Sequence, residues 1–452
     1  MKSFHQEAAA TVRLAAPLIA AQLAQVSTTL IDTVMAGNLS PQDLAAVALG
    51  ASIWWAIVFC CTGLLLSINP TVAYLYGAGD YSRIGHVVRQ GLWLATMVSI
   101  PAFLLVRSSG PLLEWLNVDP ELVPITLGFL NAISFGAPAL CIYQALRGFS
   151  EGISLTRPVM YASLLAVGGN AAGNYVFMYG KFGMPQLGAV GCGVASAITM
   201  WLMLVFLAIY IRLHRAYAPF RVFSRFEVPE WPQLRALLKL GTPIAVSMFM
   251  EASLFSTAAL LIGAMGTIAV AGHQIALNVA SVTFMIPLGL AMAITARVGQ
   301  AMGRGDAAGA RRSGFVGIAL AAVFMSFSAL CIFLFPEVIA GFYTNDPAVK
   351  AIAVQLLFMA AIFQISDGLQ VAGSGALRGL KDTKLPMIIT VVAYWVIGMP
   401  LGYTLGVTYG GGPRAMWIGF IFGLTTAAVL LNSRYYFTTK RLQKQTVTSG
   451  AD

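Results

Sequence analysis

Residues 13–37 read RLAAPLIAAQLAQVSTTLIDTVMAG, and residues 239–263 read KLGTPIAVSMFMEASLFSTAALLIG. Each is apolar over more than the roughly 20 residues that a membrane-spanning helix needs. The two also match one another at an offset of 226 residues. Leu14 and Pro17 fall on Leu240 and Pro243, Ser27 on Ser253, and Gly37 on Gly263. The register then holds without a gap. Gly63-Leu64 falls on Gly289-Leu290, and Gly77, Gly79 and Asp80 fall on Gly303, Gly305 and Asp306. After an insertion of five residues, ALRG at 145–148 falls on ALRG at 376–379. A colinear series of this length marks a duplicated unit.

Working outward, uninterrupted apolar runs give spans near 13–36, 45–70, 90–107, 122–146, 158–179 and 187–211. A second set lies near 240–263, 269–296, 313–335, 350–377, 386–407 and 415–437. The expected fold is an all-α polytopic membrane protein with twelve transmembrane helices in two pseudo-symmetric six-helix lobes. The lobes are expected at 1–213 and 237–452, joined by a linker at 214–236. A transmembrane barrel is excluded, because its strands would alternate apolar and polar residues. Six helices per repeat is an even number, so both copies face the same way, related by an axis along the membrane normal. A central cleft between such lobes implies alternating access.

Composition agrees. The 452 residues are 58% hydrophobic and only 10% charged, where soluble domains carry about 25% charge. Mean hydropathy is +0.79. A soluble globular domain, a disordered chain and a disulfide-stapled secreted domain are all excluded. The five cysteines (Cys60, Cys61, Cys141, Cys192, Cys331) lie in apolar runs without paired spacing and read as packing residues. With the N-terminus inside, 23 of the 27 Lys and Arg, Lys2 among them, fall on the cytoplasmic side. Arg107, Lys181, Lys350 and Arg414 fall outside. That bias is the positive-inside rule, with both termini cytoplasmic. The +10 net charge is therefore a topology signal and gives no reason to expect nucleic-acid binding.

Three acids sit inside spans: Asp32, Glu251 and Asp367. An ionised carboxylate at bilayer depth costs at least about 2.5–3.5 kcal/mol, and such groups normally face a cavity and bind a cation or a proton. The plain alternative is that each is protonated or capped by backbone. Removal from water favours the neutral, protonated form. A bound cation favours the ionised one, so proton and cationic substrate compete for one charge, and reciprocal linkage makes that competition an antiport. Asn170 and Asn174, at i and i+4, share a helix face and with Ser196 make a further polar site facing Asp32; helix-to-helix hydrogen bonding explains them equally well. His273 reads as a packing residue. The GxxxG pairs Gly169/Gly173, Gly402/Gly406 and Gly419/Gly423 read as close helix contacts.

DTVMAG at 32–37, DLAAVALG at 43–50 and YGAGD at 76–80, within the six-plus-six layout, resemble the multidrug and toxic compound extrusion (MATE) transporters. NYVFMYGKFGMPQLGAVGCGVA at 174–195, MEASLF at 250–255 and ALRGLKDTKLPM at 376–387 resemble the bacterial NorM branch. The resemblance covers about residues 8 to 440. It implies efflux of amphipathic cationic drugs and dyes across the bacterial inner membrane, coupled to Na⁺ or H⁺, by a monomer in contact with membrane lipids and without a further cofactor. It assigns the coupling role to Glu251, Asp367 and Asp32, with Na⁺ at Glu251 and Asp367. Phe284 and Phe363 stand where some relatives place a Tyr beside the cation, and are expected to line an aromatic cavity. Ser196 stands where relatives often have Thr.

Two other readings, a second transporter and an enzyme, fit the residues less well. A flippase for a lipid-linked precursor would meet phosphates with basic residues, whereas the deep charges here are all negative. A membrane-embedded enzyme would need a metal-binding HExxH, a GxSxG nucleophile with a His base, or aspartate-rich pairs. None occurs.

Overall fold

The computed structural model describes residues 4–116 and 118–449; Lys2 lies outside them. The first half contributes α1 (Phe4–Leu39), α2 (Pro41–Leu65), α3 (Ile68–Ala78), α4 (Tyr81–Arg107), α5 (Gly110–Trp115), α6 (Leu122–Ser134), α7 (Ala137–Gly152), α8 (Arg157–Gly173) and α9 (Ala189–Leu213). The second half repeats the order. It contributes α10 (Trp231–Gly263), α11 (Thr267–Gly303), α12 (Ala307–Leu334), α13 (Pro336–Tyr343), α14 (Pro347–Gly379), α15 (Lys384–Val391), α16 (Met399–Tyr403) and α17 (Gly412–Ser449). Three π-helical turns, Asn174–Met178, Val392–Gly398 and Thr404–Thr408, extend α8, α15 and α16. No strand occurs among the described residues.

Ten segments are long and apolar enough to cross a membrane, and α6 with α7 makes an eleventh through a 44° bend. Gly136 precedes that second helix and Pro138 lies in its first turn, where a missing backbone N–H breaks the ladder. The remaining expected span, 158–179, is α8 and its π-helical end. It falls short because Gly168, Gly169, Asn170, Gly173 and Asn174 dilute its apolar content.

The chain divides into an N-unit, Ala20–Ala245, and a C-unit made of the residues up to Ile19 and those from Val246 onward. Ile19 and Ala245 are themselves 226 positions apart. The edges therefore fall inside α1 and α10, just past Pro17 and Pro243, and not at the 213 and 237 limits read from the sequence. Each unit packs the first turns of the other half's leading helix. In the N-unit Gly63 lies directly against Ala245, and in the C-unit its repeat mate Gly289 lies against Ile19. A Cβ at either glycine would overlap the partner backbone, so the sequence keeps both bare.

The YGAGD and GRGD repeats both become helix stops followed by helix starts. Gly79 and Gly305 adopt left-handed backbone at φ 75° and 72°, a region glycine enters without steric cost. The next residue then caps α4 or α12. Asp80 accepts from Arg83 N at 3.2 Å, and Asp306 from Gly309 N at 2.7 Å.

Buried charge fastens the helix ends. In the C-unit Glu7 of α1 accepts from Arg297 Nε at 2.8 Å and from Ser313 Oγ at 2.6 Å. The linker residues 227–230 are held against α4. Arg89 donates to Glu227 Oε1 at 2.7 Å, Trp93 Nε1 donates to the Glu227 carbonyl at 2.7 Å, and Gln90 Nε2 donates to the Val228 carbonyl at 2.9 Å. His86 Nδ1 lies 2.8 Å from the other Glu227 oxygen. The Arg89 hydrogen bond, joined by His86, pulls the Glu227 carboxyl down to about 2 against the opposing effect of burial.

Two outcomes follow. Removing one partner of a buried ion pair strands the other, so Glu7→Ala should lower the unfolding free energy by roughly 3 kcal/mol. Titration with denaturing detergent in mixed micelles measures it; a loss below about 0.5 kcal/mol, the scale of an exposed pair, would contradict the assignment. For Glu227 the folded value lies below the unfolded one, so its contribution is whole above the ordinary Glu value of 4.5 and is lost as pH falls toward about 2. Pepsin cleavage at exposed Phe226 should therefore rise through that window in wild type and already be fast near its upper end in Arg89→Met. Equal cleavage profiles would contradict the clamp.

Candidate functional site

The four polar residues that the sequence grouped in the first half come together in the N-unit. Asp32 projects from α1, Asn170 and Asn174 from α8 and its π-helical start, and Ser196 from α9. Asn174 Nδ2 donates to Asp32 Oδ1 at 2.7 Å and contacts Asn170 Oδ1 at 3.3 Å. Ser196 Oγ lies 3.4 Å from Asp32 Oδ2, and Asn170 Nδ2 lies 3.4 Å from the same hydroxyl. The Cys192 thiol, one turn before Ser196 on α9, also reaches Asp32. The sequence reads it as a packing residue, although its i−4 spacing from Ser196 is visible there. Neutral dipoles thus surround this carboxylate. The Asn174 Oδ1 atom stays buried and unpartnered.

The second-half acids come together in the C-unit by a different arrangement. Glu251 of α10 and Asp367 of α14 lie near enough for each charge to act on the other. Asp367 is 5% exposed, with Gln364 and Gln370 one turn to either side on the same helix. Asp367 Oδ1, Gln364 Nε2 and Gln370 Oε1 have no hydrogen-bond partner, while Gln364 Oε1 accepts from Ser328 Oγ at 3.3 Å. Hard oxygen donors of this kind suit a proton or an alkali cation rather than a soft metal. Among the described residues no group of three or more His, Cys, Asp and Glu could hold a metal ion.

The repeated ALRG segment carries an asymmetry that the alignment alone hides. In the N-unit Arg147 donates to Glu151, its i+4 acid, at 2.7 Å and to Gln22 at 2.9 Å, while Asn69 holds the other Glu151 oxygen at 2.8 Å. In the C-unit the matching acid, Asp382, pairs instead with Arg434 at 2.9 Å. The charge of the matching arginine, Arg378, acts on Glu251. Arg378 is a residue the sequence reading left in the loop charge count.

Phe363, one turn before Asp367, is 2% exposed. Its ring is edge-on to Phe255 at 5.9 Å and Trp417 at 5.5 Å. Phe284 is half-buried on α11. His273 Nδ1 accepts from Trp417 Nε1 at 3.1 Å, leaving Nε2 unpartnered. The close-contact reading of Gly402 and Gly419 holds, since α16 and α17 touch there backbone to backbone.

The sequence matches the MatE family model over residues 17–176 and again over 243–404. The two matches start 226 residues apart, at the repeat offset. The chain is 42% identical over 450 residues to the multidrug resistance protein MdtK of Yersinia pseudotuberculosis, covering 98% of both chains. The protein of the same name from Yersinia enterocolitica is equally similar. The fold is shared with the crystal structure of the eukaryotic MATE transporter AtDTX14, at TM-score 0.89 and 20% identity over 98% of this chain and 99% of that one. It is equally shared with a Pyrococcus furiosus transporter of the MOP superfamily, whose binding pocket is described as having reverse polarity that suggests a different function (TM-score 0.89, 21% identity, 97% of both chains). Fold alone therefore does not separate these functions, and the sign of the buried charge has to.

The Asp32 cluster can be tested as a coupled pair. A hydrogen bond to a charged group contributes about 1.5–3 kcal/mol. A double-mutant cycle of Asp32→Ala and Asn174→Ala, read by unfolding free energy, should therefore show an interaction of roughly 1–2 kcal/mol. Simple additivity would mean that the 2.7 Å contact contributes nothing.

Proposed function

This chain belongs to the MatE family, and from that premise we propose that it is a secondary active multidrug exporter of amphipathic cationic drugs and dyes. The exchange is with Na⁺ or H⁺ by alternating access. We place it in the bacterial inner membrane, as a monomer in contact with lipid, with both termini cytoplasmic. The observation that carries the reading is the sign of the deep charges: Asp32, half-buried in the N-unit, with Glu251, half-buried, and Asp367, buried, in the C-unit.

The cycle follows from electrostatics. A cationic drug near an acid cluster favours the ionised carboxylate, and a proton neutralises it. Glu251 and Asp367 repel when both are ionised, so the pair retains one proton or one cation readily and releases it when a second positive charge arrives. Na⁺, if it is the coupling ion, would rest on the oxygens of those two acids, with the Gln370 carbonyl on the same face of α14. The single positive charge of Arg378 tempers the repulsion without satisfying both acids. A flippase for a lipid-linked phosphate is disfavoured for the same reason. Arg147 is neutralised by Glu151, and the charge of Arg378 falls on Glu251.

Dye efflux from proteoliposomes, with pH and Na⁺ gradients imposed separately, tests this reading. Glu251→Gln and Asp367→Asn should each abolish gradient-driven efflux while the protein inserts and folds, because the amides keep shape and remove only charge. Asp32→Asn should weaken efflux less, since neutral donors already surround that group. A Glu251→Gln/Asp367→Asn double variant with normal efflux would make these acids structural.

A further inference from the structure

We propose that the C-unit binds the headgroup of an anionic phospholipid where α12 and α17 reach the bilayer surface. The site goes beyond efflux and needs only that these helices span a bilayer. From Ser313 to Leu334 α12 carries no charge, and from Ala415 to Ser433 neither does α17. Val323 and Phe327 on the first, and Phe422 and Val429 on the second, are more than half exposed and face lipid. Charge returns on both helices at the same end. Arg311 and Arg312 precede the uncharged run of α12, and Lys440 and Arg441 follow that of α17. The Tyr435 hydroxyl donates to the Ala310 carbonyl at 2.7 Å, which sets the two ends at one level. Tyr436 centres the site. Arg311 Cζ lies 4.8 Å and Lys440 Nζ 5.7 Å from its ring centroid, and Arg311 Cζ lies 5.8 Å from that of Phe315. Arg311 gives one N–H to Gln443 Oε1 at 2.9 Å, of the five that a guanidinium carries.

Three observations make this cluster a site for an anion, and for a lipid in particular. Neither helix carries an acid. The acids that border them are engaged: Asp306 caps α12, Asp382 holds Arg434, and Glu7 holds Arg297 and Ser313. Two cations held at one ring repel each other, and an anion between them relieves that repulsion. The repeat, secondly, does not call for the charge. The residue 226 positions before Arg311 is Gly85, where a Cβ would overlap the Phe220 carbonyl of the linker. Chain covers that face in the N-unit, whereas the C-unit puts a half-buried cation on it. Finally, the surroundings suit a lipid better than a soluble anion. Phe422, Val429 and Tyr436 recur every seven residues, so one lipid-facing stripe of α17 ends at the ring beneath the cations. Phe437, 65% exposed, adds an aromatic at the depth where such side chains collect. Basic pockets between helices at a membrane surface hold phosphate headgroups in this way.

The test is native mass spectrometry of the purified full chain in detergent, titrated with phosphatidylglycerol, phosphatidylcholine or soluble glycerol phosphate. Wild type should bind the first phosphatidylglycerol more tightly than phosphatidylcholine. Each cation near an anionic headgroup contributes about fivefold in affinity, so Arg311→Gln/Lys440→Gln should weaken that first phosphatidylglycerol by roughly 25-fold. Phosphatidylcholine binding should stay as it is. Arg212→Gln/Arg215→Gln, at exposed cations of the N-unit, is the control and should change neither. If the first double variant does not fold, Lys440→Gln alone, at an exposed side chain, should still cost about fivefold. An equal loss in both double variants, no loss on removing Lys440, or displacement of the lipid by equimolar glycerol phosphate overturns the proposal. Neither drug nor gradient enters this assay. Its failure therefore leaves the efflux reading standing, and failure of the dye-efflux test leaves the lipid site standing.

Discussion

An ionised carboxylate among apolar helices is the costliest element of this chain, at no less than about 2.5 kcal/mol each at bilayer depth. Much of the local structure follows from accommodating it. In the N-unit the solution is neutral dipoles: two asparagines one turn apart, a serine and a thiol close around Asp32. The polar residues they require lower the apolar content of the 158–179 span, and α8 is not among the helices long and apolar enough to cross a membrane alone. In the C-unit the solution is mutual. Glu251 and Asp367 share one neighbourhood with two glutamines and the reach of one arginine's charge. The exchange proposed above uses the second arrangement.

Both acid-bearing lead helices cross a unit edge. Asp32 lies in the N-unit on α1, whose opening turns pack in the C-unit. Glu251 lies in the C-unit on α10, whose opening turns pack in the N-unit. Bare glycines at repeat-related positions let each stub approach closely, and Glu7 ties one of them down with a buried ion pair. In the exchange proposed above, a change of charge at either acid falls on a helix that is covalently continuous with the other unit.

The parts legible in the sequence were those encoded locally or by repetition. Apolar runs gave the spans, and the 226-residue register gave the duplication. The absence of compensating Lys or Arg at depth singled out Asp32, Glu251 and Asp367. The i, i+4 spacing of Asn170 and Asn174 was enough to place them with Asp32. What stayed hidden depends on which copy packs on which. A repeat states that Arg378 and Asp382 match Arg147 and Glu151. It does not state that Asp382 turns to Arg434, because that partner lies 52 residues away. Likewise the bond from Trp395 to the Met250 carbonyl, 145 residues away, leaves no signal in the sequence. The edges at Ile19 and Ala245 are invisible for the same reason, since a periodic apolar helix reads alike whichever core covers it.

The central claim is that drug and coupling ion compete for the same buried carboxylates. It is tested most directly by adding a cationic dye to purified protein in weakly buffered detergent and recording protons released, with a parallel record of Na⁺ displaced at fixed pH. The expected result is release of one ion or the other in proportion to dye bound, absent in Glu251→Gln and Asp367→Asn. Saturating dye binding with neither proton nor Na⁺ released, or the same release from both variants, would contradict it.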